Sequence, residues 1–358
     1  MKVAIAYEAR KPLVLEDLPV PERGPRDVLV RIAAGGICHT DINVINGLSD
    51  LPLPIVPGHE ACGVVEETGS DVRRVKPGDR VLASVSPACG SCWWCLNGMS
   101  NHCELGPVIR QKPRFRLGNG ESAPAVCGCG TFAEAMVVDE ASVVAVRTDL
   151  PDEQLALLGC GVTTGLGAAL NTARVTPGST VAVIGCGGVG QSVIQGARIA
   201  GASKIIAIDP AAERRQAALD AGATHALDPG DGDPVEQVRD LTDGRGADFA
   251  LEAVGLPEVM AQAFAMARME GTVTLIGMPP TGTQLTLPAV AAVFSGKRLL
   301  GSPVGGSQIL RDFPRFIRLA ESGQLRLDSM VSKRITLDQI NEGIGRLERA
   351  EGIRTVVV

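Results

Sequence analysis

The chain has 358 residues, of which 45% are hydrophobic and 21% charged, and its formal net charge at pH 7 is −6. This length suits two domains, and the composition is that of globular proteins rather than disordered ones. The chain is acidic and has no long basic run, so it lacks the positively charged stripe with which proteins bind nucleic acids.

The N-terminal stretch MKVAIAYEARKP lacks the apolar segment and the cleavage site of a signal peptide. The most apolar window, residues 181–200, contains five glycines together with Gln191, Gln195 and Arg198, so we expect no membrane span. These features predict a cytoplasmic protein, in a compartment where thiols stay reduced. Ten cysteines in such a protein favour metal binding or catalysis over disulfides.

Up to about residue 160, short alternating apolar runs are broken by glycine and proline, which predicts an antiparallel β domain. These runs are KVAIAY, DVLVRIAAGG, GVVEETG, DRVLASV and FAEAMVVD. From about residue 163 to 302, apolar strands alternate with long helical stretches, which predicts a doubly wound α/β sheet. Its strands are TVAVIG, KIIAID, HALD, ADFALEA, TVTLIG and RLLGS. The remaining tail is too small to fold alone, and we expect it to complete the first domain.

Three short segments in the β-rich part each hold a candidate metal ligand in a turn flanked by glycine. Cys38 lies in GGICHTDIN, His59 and Glu60 lie in VPGHEACG, and Cys160 lies in LGCGVTTG. Two cysteines and one histidine form a zinc set that leaves the fourth position open for water or substrate. Taken singly, however, each cysteine could equally be a small buried hydrophobic residue.

Four cysteines are crowded into the segment PACGSCWWCLNGMSNHCE with the spacing C-x2-C-x2-C-x7-C. Four thiolates at such spacings can close a tetrahedral shell around zinc, and an iron–sulfur cluster or paired thiols are the alternatives. Because protein would fill every position of the shell, we interpret this lobe, about residues 86–104, as structural. Its ligands are Cys89, Cys92, Cys95 and Cys103.

The densest basic stretch is IRQKPRFR, with Arg110, Lys112, Arg114 and Arg116. We interpret it as a solvated loop. The alternative is a contact for an anionic group of the substrate.

The segment TVAVIGCGGVGQSVIQGARIAGASKIIAIDP carries Gly185, Gly187 and Gly190 in the G-x-G-x-x-G pattern. The pattern follows a predicted strand, opens a predicted helix and precedes Asp209, which ends the next strand. This context predicts a dinucleotide site with pyrophosphate at the helix N-terminus. Asp209 would accept hydrogen bonds from the ribose hydroxyls and repel the extra phosphate of NADP, which favours NAD, although Arg214 and Arg215 leave room for a phosphate.

The segment GHEACGVVEETGSDV has the form G-H-E-x2-G-x5-G-x2-V and resembles the zinc signature of medium-chain alcohol dehydrogenases. Together with GGICHTD, the four-cysteine lobe, GCGVTTG and the glycine pattern, the match extends from Val28 to Val358. The resemblance implies a GroES-like β-rich catalytic domain at residues 1–161 and 304–358. It also implies a Rossmann doubly wound parallel sheet domain at residues 162–303.

The same resemblance implies two zinc ions, one catalytic and one structural. Cys38, His59 and Cys160 would bind the catalytic ion, and Glu60 and Asp41 would support it, with Asp41 orienting His59. Thr40 would carry the proton of the alcohol. The implied contacts of NAD are His39, Thr164, Gly185, Gly187, Gly188, Val189, Gly190, Asp209, Arg214, Ile276 and Arg354.

These assignments predict an NAD-dependent zinc alcohol dehydrogenase, of class EC 1.1.1, that reversibly oxidises a primary alcohol to an aldehyde. Because Cys160 replaces the glutamate usual in polyol dehydrogenases, the alcohol and formaldehyde dehydrogenase branch is favoured. Small side chains at the positions that line the pocket in relatives favour a medium-size or bulky alcohol, and we expect a homodimer or homotetramer. Those positions are Val85, Val108, Val126, Cys127, Pro303 and Val304.

One departure and two alternatives remain open. Asn43 stands where many relatives carry a histidine that passes the proton to solvent, and an amide cannot act as a base. A thiol-adduct formaldehyde dehydrogenase is the first alternative, with the basic stretch supplying counter-charges. A non-catalytic nucleotide-binding module is the second, although the complete Cys38, His59 and Cys160 set argues against it.

Overall fold

A computed structural model describes all residues, 1–358. The strands are β1 Lys2–Ile5, β2 Val14–Asp17, β3 Asp27–Gly36, β4 Glu60–Thr68, β5 Arg80–Ala83, β6 Phe115–Arg116, β7 Ser122–Ala123, β8 Ala135–Asp139, β9 Val143–Ala145, β10 Thr180–Ile184, β11 Lys204–Ile208, β12 His225–Leu227, β13 Ala247–Glu252, β14 Ala267–Leu275, β15 Arg298–Gly301, β16 Val331–Ile335 and β17 Arg354–Val357. The α-helices are α1 His39–Ile45, α2 Trp93–Leu96, α3 Gly106–Gln111, α4 Asp152–Ala156, α5 Gly161–Gly167, α6 Gly188–Ile199, α7 Ala212–Ala221, α8 Pro234–Asp240, α9 Pro257–Met266, α10 Ala289–Phe294, α11 Ile309–Glu321 and α12 Ile340–Glu348.

The chain divides into two compact units. The first, the β-rich unit, comprises Met1–Cys160, Gln308–Ser322 and Leu327–Val358. The second, the parallel-sheet unit, comprises Gly161–Ser307 and Gly323–Arg326.

The β-rich unit is built on a seven-stranded sheet with the order β16-β17-β3-β4-β5-β9, and β8 also pairs with β3. Every pairing is antiparallel except β16 with β17. In this register Gly36 at the end of β3 lies between Glu60 of β4 and Val356 of β17. The register therefore brings the start of β4 and the strand β17 close to the point where β3 ends.

The parallel-sheet unit contains six parallel strands in the order β12-β11-β10-β13-β14-β15. Counted from β10, this is the strand order of the doubly wound dinucleotide-binding fold. Two separate clusters of buried apolar side chains cover the two faces of the sheet, one around Val181 and Val183 and the other around Ala182 and Ile184. The predicted combination of a β-rich domain with a doubly wound parallel sheet is therefore confirmed.

No single helix is long and apolar enough to cross a bilayer. One sharply bent pair of helical segments, Asp152–Gly159 with Gly161–Ala173, meets the length and hydropathy criteria when the two are taken together.

Candidate functional site

Cys38, His59, Glu60 and Cys160 converge in the β-rich unit although the sequence scatters them. One ligand atom from each side chain lies within 4.8 Å of the others. Cys38 follows β3 and is the residue before α1. His59 immediately precedes β4, Glu60 is its first residue, and Cys160 follows a short 3₁₀ turn. His59 and Glu60 are fully buried. Two thiols, an imidazole and a carboxylate thus share one small buried volume.

Gly36 makes room for this cluster. A Cβ at this position would lie 2.0 Å from Oε2 of Glu60, so any larger residue would displace the carboxylate. The glycine requirement arises from close approach and not from the backbone conformation, because Gly36 lies in a regular strand.

Asp41 holds three groups of the cluster at once. Its carboxylate accepts hydrogen bonds from the backbone N–H of Gly58 at 2.8 Å and from that of Cys38 at 3.2 Å. Nδ1 of His59 lies 2.9 Å from Oδ1 of Asp41 and donates to it. Because Asp41 is the third residue of α1 and Cys38 precedes the helix, the arrangement is a capping box. Asp41 therefore fixes both the helix start and the orientation of the imidazole.

The other imidazole nitrogen, Nε2 of His59, is buried and has no hydrogen-bond partner within the chain. Leaving a buried polar atom unpaired is costly, so such an atom signals a ligand. Two cysteine sulfurs and one imidazole nitrogen form one of the donor sets that hold catalytic zinc and leave a fourth position open. The residues present therefore fit a catalytic zinc ion, with Cys38, His59 and Cys160 as its donors.

The ionisable groups of this cluster shift one another's pKa values. A hydrogen bond from Cys160 and attraction to His59 lower the pKa of Cys38 well below its usual value, whereas the same hydrogen bond and burial raise the pKa of Cys160. Burial alone would lower the pKa of His59, but attraction to Asp41 outweighs it and raises that pKa. The cluster therefore readily accommodates thiolate, the form of cysteine that binds metal.

Glu60 forms a buried ion pair with Arg354 of β17. Burial would lower the pKa of Arg354, but attraction to Glu60 outweighs burial and keeps that pKa above its usual value. The family resemblance predicts Glu60 beside the zinc and Arg354 beside the cofactor, but it does not predict the contact between them. No local pattern could have revealed it, because the two residues are 294 positions apart.

Thr40 and His39 occupy the first turn of α1. Oγ1 of Thr40 lies 3.9 Å from Sγ of Cys38, and the side chain is half-buried. His39 is exposed, and Asn43 lies one turn further along the same helix. The structure thus places the Thr40 hydroxyl beside the sulfur of Cys38, the residue that precedes α1.

The four-cysteine lobe forms a second cluster, in which the ligand atoms of Cys89, Cys92, Cys95 and Cys103 also lie within 4.8 Å of one another. All ten cysteines of the chain are free thiols. The sulfurs of Cys89 and Cys95 are 3.8 Å apart, and those of Cys92 and Cys103 are 4.0 Å apart. This spacing suits four sulfurs around one ion.

Backbone N–H groups surround these sulfurs. Sγ of Cys89 accepts from the N–H groups of Ser91 and Cys92, each at 3.3 Å. Burial would raise the pKa of Cys89, but these donors outweigh it and lower the pKa to about 6, whereas burial raises the pKa of Cys95 to about 12. The remaining sulfurs have backbone donors as well, from Glu104 to Cys92, from Gly90 to Cys95, and from Cys89 and Leu105 to Cys103. Donors to sulfur favour thiolates, so the lobe fits a structural zinc ion.

In the parallel-sheet unit, the turn Gly185–Gly187 connects β10 to α6. A Cβ on Gly190 would lie 1.8 Å from the carbonyl oxygen of Gly185, so only glycine allows the helix to begin against this turn. Apart from its immediate neighbours in the chain, the atom nearest to a Cβ placed on Gly187 is Nη1 of Arg214 at 3.9 Å, so a ligand can approach the backbone there. Both features are those of a turn that binds pyrophosphate at a helix N-terminus.

Asp209 follows β11, beside the glycine turn. Its two carboxylate oxygens accept hydrogen bonds from the backbone N–H groups of Cys186 and Ala211, both at 2.8 Å. The guanidinium of Arg215 is occupied by the carbonyls of Asp209 and Pro210 and by the carboxylate of Asp228. The guanidinium of Arg214 instead lies near Gly187, 3.9 Å from the position of a Cβ there. Of the two arginines, only Arg214 is therefore directed towards the glycine turn.

The remaining predicted cofactor contacts occupy different elements. Thr164 lies in α5, Gly188 and Val189 begin α6, and Ile276 follows β14. Thr164 and Ile276 are half-buried.

The prediction of a solvated basic loop is wrong for Arg114. This side chain is buried, and its Nη1 lies 2.9 Å from Oδ1 of Asp27. Nζ of Lys112 lies 2.5 Å from the other oxygen of the same carboxylate, and Arg110 donates to the carbonyl of Val85 at 3.4 Å. Arg114 is thus engaged inside the fold, and Lys112, although exposed, pairs with the same buried carboxylate, so neither is free to bind an anion.

Comparison with known proteins identifies the family. Residues 24–148 match the family of the alcohol dehydrogenase GroES-like domain, and residues 188–322 match the zinc-binding dehydrogenase family. A Mycobacterium tuberculosis protein described as alcohol dehydrogenase D is 40% identical, and the alignment covers 99% of this chain and 98% of that protein. The NDMA-dependent alcohol dehydrogenase of Amycolatopsis methanolica is 38% identical, with coverage of 100% and 98%.

Among solved structures, benzyl alcohol dehydrogenase from Acinetobacter calcoaceticus superposes with a TM-score of 0.93 at 30% identity, covering 99% of this chain and 98% of that one. Fold, family matches and relatives agree along the whole chain. An enzyme of this family is an oxidoreductase that uses zinc and a nicotinamide cofactor, and its substrate is an alcohol of low molecular weight. The chain belongs to the zinc-dependent medium-chain alcohol dehydrogenases.

Proposed function

We propose that the enzyme reversibly oxidises a medium-size or bulky primary alcohol to its aldehyde with NAD, at a zinc ion held by Cys38, His59 and Cys160. The observation that carries this proposal is Nε2 of His59, a buried nitrogen without a hydrogen-bond partner that lies within 4.8 Å of the sulfurs of Cys38 and Cys160. When bound, zinc supplies a Lewis acid for the alcohol oxygen and nicotinamide a hydride acceptor.

The chain's own residues prepare this site. Asp41 retains the proton on Nδ1 of His59, which leaves Nε2 as the electron-pair donor. Two thiolates balance the charge of a zinc ion, and the pair of Glu60 with Arg354 is itself neutral. Of the buried charges, only the carboxylate of Asp41 then remains unbalanced, and its hydrogen bonds from Gly58, Cys38 and His59 limit the cost of burying it.

The Thr40 hydroxyl is the group we assign to the proton of the alcohol. It lies near the ligand Cys38 and can accept one hydrogen bond while donating another. Asn43, on the same helix, cannot take the proton as a base, so we propose that the proton leaves to water. For His39, Thr164, Ile276 and Arg354, the contacts with NAD stay predictions.

The preference for NAD over NADP rests on Asp209. Its carboxylate lies beside the glycine turn, where it favours ribose hydroxyls and disfavours a phosphate. The engagement of Arg215 by Asp228 supports this preference, because only Arg214 is then available to an added phosphate.

The four-cysteine lobe is the site that we propose for a second, structural zinc ion. Cys89, Cys92, Cys95 and Cys103 fill all four positions of a tetrahedral shell and leave none for substrate. The ten free cysteines also suit the cytoplasm, which remains our proposed location because thiols stay reduced there.

The choice of a medium-size or bulky alcohol rests on small side chains. Val85 and Val126, which line the pocket in relatives, are buried here and contribute little volume. The likeness to benzyl alcohol dehydrogenase supports the same size class. The thiol-adduct alternative loses two of the four counter-charges of its basic stretch, because Arg114 and Lys112 bind Asp27.

We further propose a homodimer formed through the parallel-sheet unit. β15 is an edge strand, and such an edge offers unpaired backbone groups to another strand. The short helix α10 exposes Val290, Val293 and Phe294, each more than 70% accessible. A second copy would cover both features. A homotetramer and a monomer are the other outcomes of a light-scattering measurement.

The function is tested with a panel of alcohols and aldehydes on zinc-loaded protein, read by the absorbance of reduced cofactor, with NAD and NADP in parallel. Denatured protein is also assayed for cofactor that was retained during purification. We expect bulky primary alcohols to be oxidised with NAD. Bound zinc without any turnover across the panel would instead support the non-catalytic module.

A further inference from the structure

Arg74, in the loop before β5, contacts the backbone at the N-terminal end of the four-cysteine lobe. Its Nη1 donates to the carbonyl oxygen of Ala88 at 2.6 Å, and its Nη2 donates to that of Cys89 at 2.7 Å. A guanidinium presents its N–H groups as a rigid planar fork, so one side chain grips two consecutive carbonyls. No carboxylate lies within salt-bridge distance of this half-buried arginine.

The N–H groups of the same two peptide bonds point at zinc-ligand sulfurs. In a trans peptide the C=O and the following N–H point in opposite directions. The N–H of Cys89, opposite the Ala88 carbonyl, donates to Sγ of Cys103 at 3.3 Å. The N–H of Gly90, opposite the Cys89 carbonyl, is directed towards Sγ of Cys95. By fixing the positions of these two carbonyls, Arg74 therefore also orients the two N–H groups towards the sulfurs of Cys103 and Cys95.

The backbone of Arg74 is also held in place, by hydrogen bonds to Glu140. The backbone N–H of Arg74 donates to the buried carboxylate of Glu140 at 3.2 Å, and the N–H of Arg73 donates to the same oxygen at 2.8 Å. Gly90 allows the close fit, because a Cβ there would lie 3.2 Å from Nη2 of Arg74, and its φ of +82° favours glycine. The geometry is thus fixed at both ends of the arginine.

We propose that Arg74 is a positioning residue for the structural metal. It acts through two peptide bonds to direct N–H donors at Cys95 and Cys103, and its positive charge offsets the excess negative charge of four thiolates around one zinc. The inference rests on the proposed structural zinc and extends it beyond the four ligands. Groups that support metal ligands in this way tune metal affinity and retention.

Arg73 provides a matched control. It is the next residue along the loop and carries the same charge, but it is exposed, and its guanidinium donates only to the carbonyls of Ser70 and Val72. Arg73→Ala therefore removes one positive charge near the lobe without touching the Ala88 and Cys89 carbonyls. Arg74→Lys keeps the charge and loses the fork.

The first measurement is the rate at which a chromophoric chelator removes zinc from the native full chain. The kinetic phase that is missing in Cys95→Ser identifies the lobe zinc. We expect Arg74→Ala to accelerate this phase by about 10- to 100-fold. Arg74→Lys should fall between Arg74→Ala and the parent, and Arg73→Ala should match the parent. Equal rates for Arg74→Ala and Arg73→Ala would overturn the proposal.

The second measurement reports on the N–H groups themselves. With cadmium in the lobe, the amide protons of Cys89 and Gly90 couple to the metal through their hydrogen bonds to sulfur. These couplings should vanish in Arg74→Ala and persist in Arg73→Ala, whereas persistence in both would overturn the proposal. If Arg74→Ala does not fold, Arg74→Lys serves for both measurements. A parent chain without any phase that Cys95→Ser removes would instead refute the structural zinc, and the role of Arg74 with it.

Discussion

Nδ1 of His59 lies 2.9 Å from Oδ1 of Asp41, and both side chains are completely buried. The carboxylate thereby fixes which imidazole nitrogen remains free for a metal. Its two further hydrogen bonds, from Gly58 and Cys38, tie the same carboxylate to the backbone beside two ligands.

Asp41→Asn should lower the affinity of the catalytic site for zinc by about 10- to 100-fold, because an uncharged amide orients His59 less strongly. Competition with a chelator, followed through the catalytic zinc, measures this loss. The zinc of the four-cysteine lobe should be retained, which makes it an internal control. An unchanged affinity would mean that Asp41 has no part in holding the metal.

Cys160→Ser should abolish turnover and leave the fold largely intact, because a hydroxyl is a poor zinc ligand at neutral pH. Cys62→Ser is the matched control, since Cys62 is buried in the same unit but its thiol donates to Asp152 at 3.2 Å and lies outside the metal cluster. Steady-state rates and circular dichroism of both variants provide the comparison. Full activity in Cys160→Ser would show that the third ligand is misassigned.

Cys95→Ser should lose one zinc ion per chain and lower the melting temperature, because an incomplete shell binds zinc weakly and leaves thiolates uncompensated. Metal analysis and thermal unfolding measure the two effects. The zinc that remains should still support turnover in protein that stays folded. A variant with the metal content and melting temperature of the parent would exclude a zinc ion at Cys95.

Asp209→Asn should shift the cofactor preference towards NADP. The amide keeps one acceptor for the backbone donors of Cys186 and Ala211 but removes the charge that repels a phosphate. We expect the ratio of kcat/KM for NAD to that for NADP to fall by about tenfold, which corresponds to ~1.4 kcal/mol. In Asp228→Asn, Arg215 loses its carboxylate partner. The same ratio of kcat/KM values in this variant tests the role of Arg215. A ratio that does not move in Asp209→Asn would contradict the assignment.

Acid should weaken the β-rich unit through Asp27. Burial would raise the pKa of this carboxyl, but Lys112 and Arg114 outweigh burial and hold the pKa below its usual value of about 3.9. The unfolded chain therefore binds a proton first, so the stabilisation is complete above the unfolded pKa and is lost as the pH falls through the lower folded pKa.

Asp27→Asn should consequently lower the free energy of unfolding by about 3 kcal/mol at neutral pH, because it leaves the buried Arg114 unpaired. Urea titrations at neutral pH and near pH 3 measure the difference between the two proteins, which should shrink in acid. A difference that is the same at both pH values would contradict the assigned pKa.

The elements best predicted from the sequence are those whose partners lie near one another in the chain. The four lobe cysteines lie within fifteen residues, from Cys89 to Cys103, and the glycine pattern lies between adjacent predicted strand and helix segments. Cys38, His59 and Cys160 required the family resemblance, because their meeting depends on the pairing of β3 with β4 and on a turn a hundred residues later.

Charged partners that are distant in the sequence were beyond prediction. Arg114 was expected in solvent because its neighbours in the chain are basic, but Asp27, 87 positions earlier, draws it inside the fold. The hydrogen bonds from Arg74 to the lobe likewise depend on tertiary packing, since nothing in DVRRVKPGD distinguishes Arg74 from Arg73. A single sequence shows which charges exist but not which of them become buried together.

The pairing of Glu60 with Arg354 also affects how the enzyme is made. During translation the ribosome must add 294 residues after Glu60, including the whole parallel-sheet unit, before the arginine exists. Until then the carboxylate next to the metal ligands lacks its partner, and burying it alone is unfavourable. We therefore expect the β-rich unit to complete its folding around Glu60 only after translation has passed Arg354.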